Sequence, residues 1–269
     1  MEQFFHQTYI QLRCPRCGFR RSWQLRRRSR RCQRCRTEWT PCYRLRGFRA
    51  PFPVWRGVIT AFLRERTAVR VAEVIRIERH CIHRMLHRLR TVMAADHPLP
   101  FSGTVEMDET YIGGQWRNKR WAVRRHGTKR GHGTSKQAVL GMLHRDTGQV
   151  AAVLVPNLQW RTLGPIIGAH VAAGSTIYTD GADTYEPLRH QYHRERVEHV
   201  SGEYVRGVIH TNGIESFWGY LKRRLKTTGG IRAARLPLYV AEEVWRFNHR
   251  TMNLKGQVEI LYRKLVEEL

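Results

Sequence analysis

Thr104-Val105-Glu106-Met107-Asp108-Glu109-Thr110-Tyr111-Ile112 alternates so that Glu106, Asp108 and Thr110 share one face and Val105, Met107 and Glu109 the other. That period of two reads as a strand. Two more strands follow, Ala138 to His144 and Val150 to Val155, joined across Asp146-Thr147-Gly148, a turn signal typical of a hairpin. Next come a helix-like stretch from Leu163 to Ala173, a short strand from Thr176 to Thr179 and a helix near Thr184 to Tyr192. Three strands, helix, strand, helix is an α/β order. Further on, a strand near Tyr204 to Ile209 leads through His210-Thr211-Asn212-Gly213 into a helix from Ile214 to Lys226, with Asn212 as its expected cap. Helical patterns from Leu236 to His249 and from Val258 to Glu268 complete the chain.

Upstream of Pro98 and Pro100 the rhythm is helical: Val54 to Arg64, Val69 to Ile75 and Arg79 to Met93. In the last of these Ile82, Met85, Leu86, Leu89, Val92 and Met93 recur at spacings of three and four, leaving His83, Arg84, His87, Arg88 and Arg90 for other faces. The segment reads either as a helix-turn-helix or as a plain linker bundle, since Arg76-Ile77-Glu78 lacks the glycine often found in such a turn. The expected organisation is residues 1–46, a small ribbon; 47–97, the helical DNA-binding or linker segment; 98–235, the α/β domain; and 236–269, terminal helices.

Cys14-Pro15-Arg16-Cys17 and Cys32-Gln33-Arg34-Cys35 are two knuckles separated by fourteen residues. Zinc takes four tetrahedral thiolates, and each knuckle supplies two sulfurs on one side of the ion. Such a site replaces the core that a segment this short cannot build. No acid lies between Glu2 and Glu38, while Arg20, Arg21, Arg26, Arg27, Arg28, Arg30, Arg31, Arg34 and Arg36 crowd that stretch. This is a dedicated basic face, with Arg26, Arg27, Arg28, Arg30 and Arg31 its candidate phosphate contacts.

Composition agrees. Among 269 residues, 48 Lys and Arg against 22 acids give a formal charge of +26, far beyond what solubility requires. The implied partner is a polyanion, with nucleic acid first, because Lys and Arg neutralising phosphates supply most non-specific affinity. No stretch approaches the roughly 20 apolar residues of a membrane span, and Met1 to Gln11 has no basic flank followed by an apolar run. An intracellular, cytoplasmic protein is expected, and two Cys-x-x-Cys pairs fit metal ligation in a reducing compartment better than disulfides.

In so basic a chain the acids stand out. Asp108 lies on the first strand of the α/β part, Asp180 ends its fourth, and Glu215 opens a helix 35 positions later. Phosphoryl transfer needs an activated nucleophile and a stabilised leaving oxygen, which two divalent ions about 4 Å apart provide. Magnesium and manganese take carboxylate oxygens, with water and phosphate filling the remaining positions. Seven residues on a helix amount to about 700°, so Glu215 and Lys222 face the same way. Ile214, Phe217, Trp218, Leu221 and Leu225 form the opposing apolar stripe. Lys222, with Arg223 beside it, is therefore a candidate phosphate contact. Glu106, Glu109 and Asp183 read as a strand neighbour, a surface acid and a helix cap, and Asn212 competes with Glu215 for the third ligand position.

These motifs together, with Asp108-Glu109-Thr110-Tyr111-Ile112-Gly113-Gly114, Tyr178-Thr179-Asp180-Gly181 and His210-Thr211-Asn212-Gly213-Ile214-Glu215-Ser216-Phe217-Trp218, resemble bacterial insertion-sequence transposases. Those proteins combine an N-terminal zinc ribbon with an RNase-H-like DDE domain of the retroviral-integrase superfamily. The resemblance implies a mixed sheet flanked by helices. It also implies magnesium or manganese on Asp108, Asp180 and Glu215, a DNA-end contact by Lys222, and terminal inverted repeats and target DNA as substrate. Relatives of this type can carry Asn where others carry Glu. The basic excursion from Arg117 to Lys136 then reads as a DNA-contacting loop, and two ends to be joined imply a dimer or higher on DNA, at the nucleoid. Three rival readings stand beside it: a non-catalytic zinc-ribbon regulator, an RNase-H-like nuclease without joining activity, and an immobile, domesticated copy.

Overall fold

The computed structural model describes residues 14–26, 29–40, 45, 47–65, 67–98, 100–113, 121–125, 136–180, 183–197, 210–228 and 230–267. The chain divides into two compact units, Met1–Val92 with Met252–Leu269, and Met93–Thr251.

In the first unit, strands β1 (Ser22–Gln24), β2 (Arg30–Cys32) and β3 (Glu38–Trp39) form a three-stranded antiparallel sheet in the order β1-β2-β3. Each cysteine knuckle ends on a residue with left-handed backbone, Gly18 at φ 68° and Arg36 at φ 61°. Their N–H groups donate back to Cys14 O at 2.9 Å and Cys32 O at 3.1 Å. Glycine tolerates that conformation at little cost; Arg36 instead lays its guanidinium over the Trp23 ring, 4.6 Å from the centroid.

Helices α1 (Phe52–Leu63), α2 (Ala68–Ile75) and α3 (Arg79–Ala95) follow. Thr67 caps α2 by accepting Arg70 N–H at 3.3 Å. The turn into α3 has its left-handed residue in Arg76, φ 58°, at a place where such turns often have glycine. On α3 the apolar stripe Ile82, Met85, Leu86, Leu89 and Val92 is buried, as its spacing predicts. The C-terminal helix α7 (Leu254–Glu267) packs against α1, with Phe52 and Tyr262 edge to face at 6.3 Å.

The second unit holds a five-stranded mixed sheet in the order β6-β5-β4-β7-β8. Its strands are β4 (Thr104–Ile112), β5 (Gln137–His144), β6 (Val150–Val155), β7 (Thr176–Asp180) and β8 (His193–Val197). β4 is central; β5 runs antiparallel to it and β7 parallel. Helix α4 (Trp160–His170) and a 3-10 helix (Asp183–His190) cover one face, packing Leu163, Ile167, Tyr185 and Leu188 on Val105, Met107, Leu140 and Met142. Helices α5 (Asn212–Thr227) and α6 (Leu236–Asn248) supply Ile214, Phe217, Trp218, Leu221, Leu236 and Val240 to the apolar cluster of the other face. There they join Val139, Leu143 and Val150, so the α/β order becomes a sheet between helical layers.

Edge strand β6 is capped from α6. Asn248 accepts Val150 N–H at 2.8 Å and donates to Val150 O at 2.9 Å, taking the place of one residue of a further strand. β8 is an addition to the sequence expectation, which ended a helix at Tyr192; the strand near Tyr204 to Ile209 lies outside the described residues. No described helix is long and apolar enough to cross a membrane.

Candidate active site on the central strand

Along β4 the alternation directs Glu106, Asp108 and Thr110 to the face covered by α5. Glu106 is only 2% exposed, and burying a carboxylate without partners is costly. It has them: Ile214 N–H donates to Oε2 at 2.9 Å, Arg145 Nε stands 3.0 Å from Oε1, and His210 Nδ1 is 3.6 Å away. Asn212 is the first residue of α5, and Thr211, which precedes it, provides no side-chain cap. The acceptor at this helix start therefore comes from another element, where a carboxylate also meets the positive end of the helix dipole. Gly213 makes the approach feasible: a Cβ there would lie 2.7 Å from Glu106 Oε2.

One helical turn further along α5, Trp218 Nε1 donates to Asp108 Oδ2 at 2.9 Å. Gly141 of β5 sits directly across from Asp108 in the antiparallel register. A Cβ on Gly141 would fall 2.4 Å from two atoms of the Trp218 ring and 2.9 Å from Ile214 Cδ1. The helix thus rests on the sheet at a glycine, with its indole reaching the neighbouring strand.

β7 pairs with β4 through Thr104↔Thr176, Val105↔Ile177 and Glu106↔Tyr178. The pairing ends there, two residues short of Asp108 on β4 and of Asp180 on β7; the Asp180 side chain lies outside the described residues. Glu215 is exposed in the first turn of α5 and accepts the Thr211 hydroxyl at 3.2 Å. Asn212, Lys222 and Arg223 are exposed on the same helix. The structure puts Asp108 and the backbone of Asp180 on adjacent parallel strands, each just past the end of their paired stretch, and carries Glu215 and Lys222 exposed on the helix packed over β4. Oxygen donors of this kind suit hard divalent cations.

Glu109 departs from its expected role as a surface acid. Half-buried on the opposite face, it accepts the Tyr185 hydroxyl at 2.6 Å and anchors the 3-10 helix. The Asp183 side chain lies outside the described residues, as does most of the stretch from Arg117 to Lys136. Trp218 and Gly141 have no place in the sequence expectation of the site. Gly141 had a signal, since a lone glycine inside an apolar strand marks a close approach of something to the backbone.

In the other unit, the sulfurs of Cys14, Cys17, Cys32 and Cys35 lie within 4.8 Å of one another, a four-thiol cluster compatible with a zinc ribbon. Cys14 Sγ is 3.4 Å from Cys35 Sγ, and Cys17 Sγ 3.6 Å from Cys32 Sγ. Backbone N–H groups of Arg34 and Cys35 donate to Cys32 Sγ at 3.3 and 3.5 Å. The hydroxyl and backbone of Thr37 hold the Cys35 thiol down, at about 6. Of the arginines expected to meet phosphate, Arg26 is exposed, Arg30 donates to Ser22 Oγ at 3.1 Å, and Arg31 is paired with Glu38. Arg27 and Arg28 lie outside the described residues.

Comparison with known proteins adds three findings. Residues 100–248 match the family described as the ISXO2-like transposase domain. A transposase-like protein of Haemophilus influenzae is 37% identical over 114 residues, covering 42% of this chain and 90% of its own length. A protein in transposable element ISH50 of Halobacterium salinarum is 29% identical over 196 residues, covering 69% of this chain and 66% of its own.

Proposed function

Since this chain belongs to the ISXO2-like transposase family, we propose that it binds the terminal inverted repeats of an insertion sequence and catalyses metal-dependent cleavage and strand transfer of its DNA. The observation that supports this reading is that Asp108 and Asp180 each lie two residues beyond the Glu106↔Tyr178 pair on neighbouring parallel strands, with the helix bearing Glu215 packed on the strand of Asp108. In it, Asp108, Asp180 and Glu215 hold two magnesium or manganese ions. Bound there, the ions supply Lewis-acid stabilisation to the attacking and leaving oxygens of an in-line displacement. Lys222, on the face of Glu215, contacts a phosphate of the DNA end, with Arg223 beside it. The RNase-H-like assignment is supported by the five-stranded mixed sheet with helices on both faces.

The four cysteines hold a structural zinc, and the arginine-rich hairpin they organise contacts the DNA backbone. The α2-turn-α3 pair acts as a helix-turn-helix, offering the exposed Arg79, His80, His83, Arg84 and His87 on a helix without a single acid. Partners are double-stranded element ends and target DNA at the bacterial nucleoid, engaged by at least two copies of the chain.

The test is cleavage and joining of DNA carrying the gene's own flanks, with magnesium or manganese, by the wild type beside Asp108→Ala, Asp180→Ala and Glu215→Ala. Metal-dependent joining in the wild type and its loss in all three variants is the expected result. Cleavage without joining would favour a nuclease of the same chemistry, and binding with no cleavage in any protein would favour a zinc-ribbon regulator.

A further inference from the structure

We infer that Trp218 is a positioning residue for Asp108: its indole N–H fixes one carboxylate oxygen, and with it the direction in which the carboxylate meets a divalent ion. The inference rests on the reading of Asp108 as an ion-holding residue.

A buried indole usually finds a hydrogen-bond acceptor, so the 2.9 Å bond to Asp108 Oδ2 is not by itself informative. Two comparisons within the molecule give it weight. Trp55 is fully buried, and among the described residues its Nε1 has no hydrogen-bond partner. Trp245 also donates to an aspartate, Asp96 at 2.8 Å, yet Asp96 is in no register with the acids of the sheet. Trp218 differs in what surrounds it. Directly across from Asp108 the sheet is cut back to Gly141, flanked by the large Leu140 and Met142, and any Cβ there would overlap the indole ring at 2.4 Å. The clearance admits the ring at the residue of β5 directly across from Asp108.

The helix carrying the indole is fixed at a second point. Glu106 accepts Ile214 N–H at 2.9 Å, so Glu106 and Asp108 grip α5 at Ile214 and Trp218. Four helical residues rise about 6 Å and two strand residues span about 6.6 Å, so the two contacts match without bending either element. Glu215 lies between those grips in sequence, and the indole bond therefore sets the height of α5 over the acid as well as the orientation of the acid. Carboxylates that hold metals are commonly fixed by such outer hydrogen bonds, and losing one costs about 10- to 100-fold in affinity or activity.

The test uses the full zinc-loaded chain with three changes: benzothienylalanine at position 218, which keeps the fused ring and replaces N–H by sulfur; Trp218→Phe; and Asp108→Asn. Manganese affinity is read by electron paramagnetic resonance, fold by thermal melting, and joining as a function of manganese concentration. The isostere is expected to weaken manganese binding about tenfold or more, with an unchanged melting temperature and joining restored by excess manganese. Trp218→Phe adds a loss of stability from the void it leaves. Unchanged manganese affinity in the isostere, with Asp108→Asn still abolishing it, overturns the positioning role alone. If Asp108→Asn also leaves manganese binding intact, the carboxylate reading fails and the positioning role goes with it.

Discussion

Asn212 and Glu215 both stand exposed in the first turn of α5, and either residue type has the oxygen to meet a cation there. Charge separates them. Two divalent ions beside a DNA phosphate are best balanced by a third anionic ligand, which an amide does not provide. Glu215→Gln should therefore reduce joining by about a thousandfold, the scale on which loss of a group stabilising transition-state charge is felt, whereas Asn212→Ala should stay within about tenfold. Single-turnover joining assays on both variants decide it, and the reverse ranking would transfer the role to Asn212. At this scale the sequence is only partly legible. Glu106 and Asp108 have the same parity on the same strand, and nothing local distinguishes a buried tether from a candidate ligand. The distinction is made by Arg145, His210 and Ile214, remote residues that occupy the Glu106 carboxylate.

Among elements, the contact of α5 with β5 is the most sensitive. Gly141→Ala places a methyl 2.4 Å from the Trp218 ring. Overpacking of that kind costs about 1–3 kcal/mol, which in a unit of this size is a fall in Tm of roughly 2–12 °C. Gly168 of α4 is the control, because a Cβ there meets nothing within 4 Å. Gly168→Ala should leave Tm unchanged or raise it, since alanine stabilises a helix interior by about 0.5–1 kcal/mol. Differential scanning calorimetry of the pair tests whether α5 is seated on that glycine; equal melting temperatures would mean that the helix yields freely. Strands β4, β5 and β6 were legible because apolar residues alternate or run continuously along them. Strand β8 was not: His193-Arg194-Glu195-Arg196-Val197 is charged along its length and edges the sheet in parallel pairing. Its one buried guanidinium, Arg194, is balanced by Glu186 at 2.6 Å and by Thr179, a solution that no periodicity announces.

At the scale of the whole molecule, the ribbon differs from the rest of the chain in what holds it together, since even the helices of its own unit bury Trp55, Ile59, Ile82 and Leu89. The unit from Met93 to Thr251 has an apolar cluster on each face of its sheet. The ribbon has strands of two and three residues and, in place of a core, four thiols. Removing zinc should therefore melt the ribbon and leave the larger unit's thermal transition within about 2 °C, because metal-binding energy is folding energy only where no core replaces it. The consequence for DNA follows from the charge of +26. Each phosphate neutralised contributes about −0.9 to the slope of log K against log salt, so a melted ribbon that no longer presents its arginines should flatten that slope by several units. Fluorescence anisotropy on an element-end duplex, across a salt series with and without a zinc chelator, measures both quantities. A slope unchanged by chelation would place the electrostatic footprint elsewhere in the chain. A flattened slope with the larger unit still folded would assign a distinct share of the charge to the ribbon, since only the part that lost its metal would have lost its grip on the phosphates.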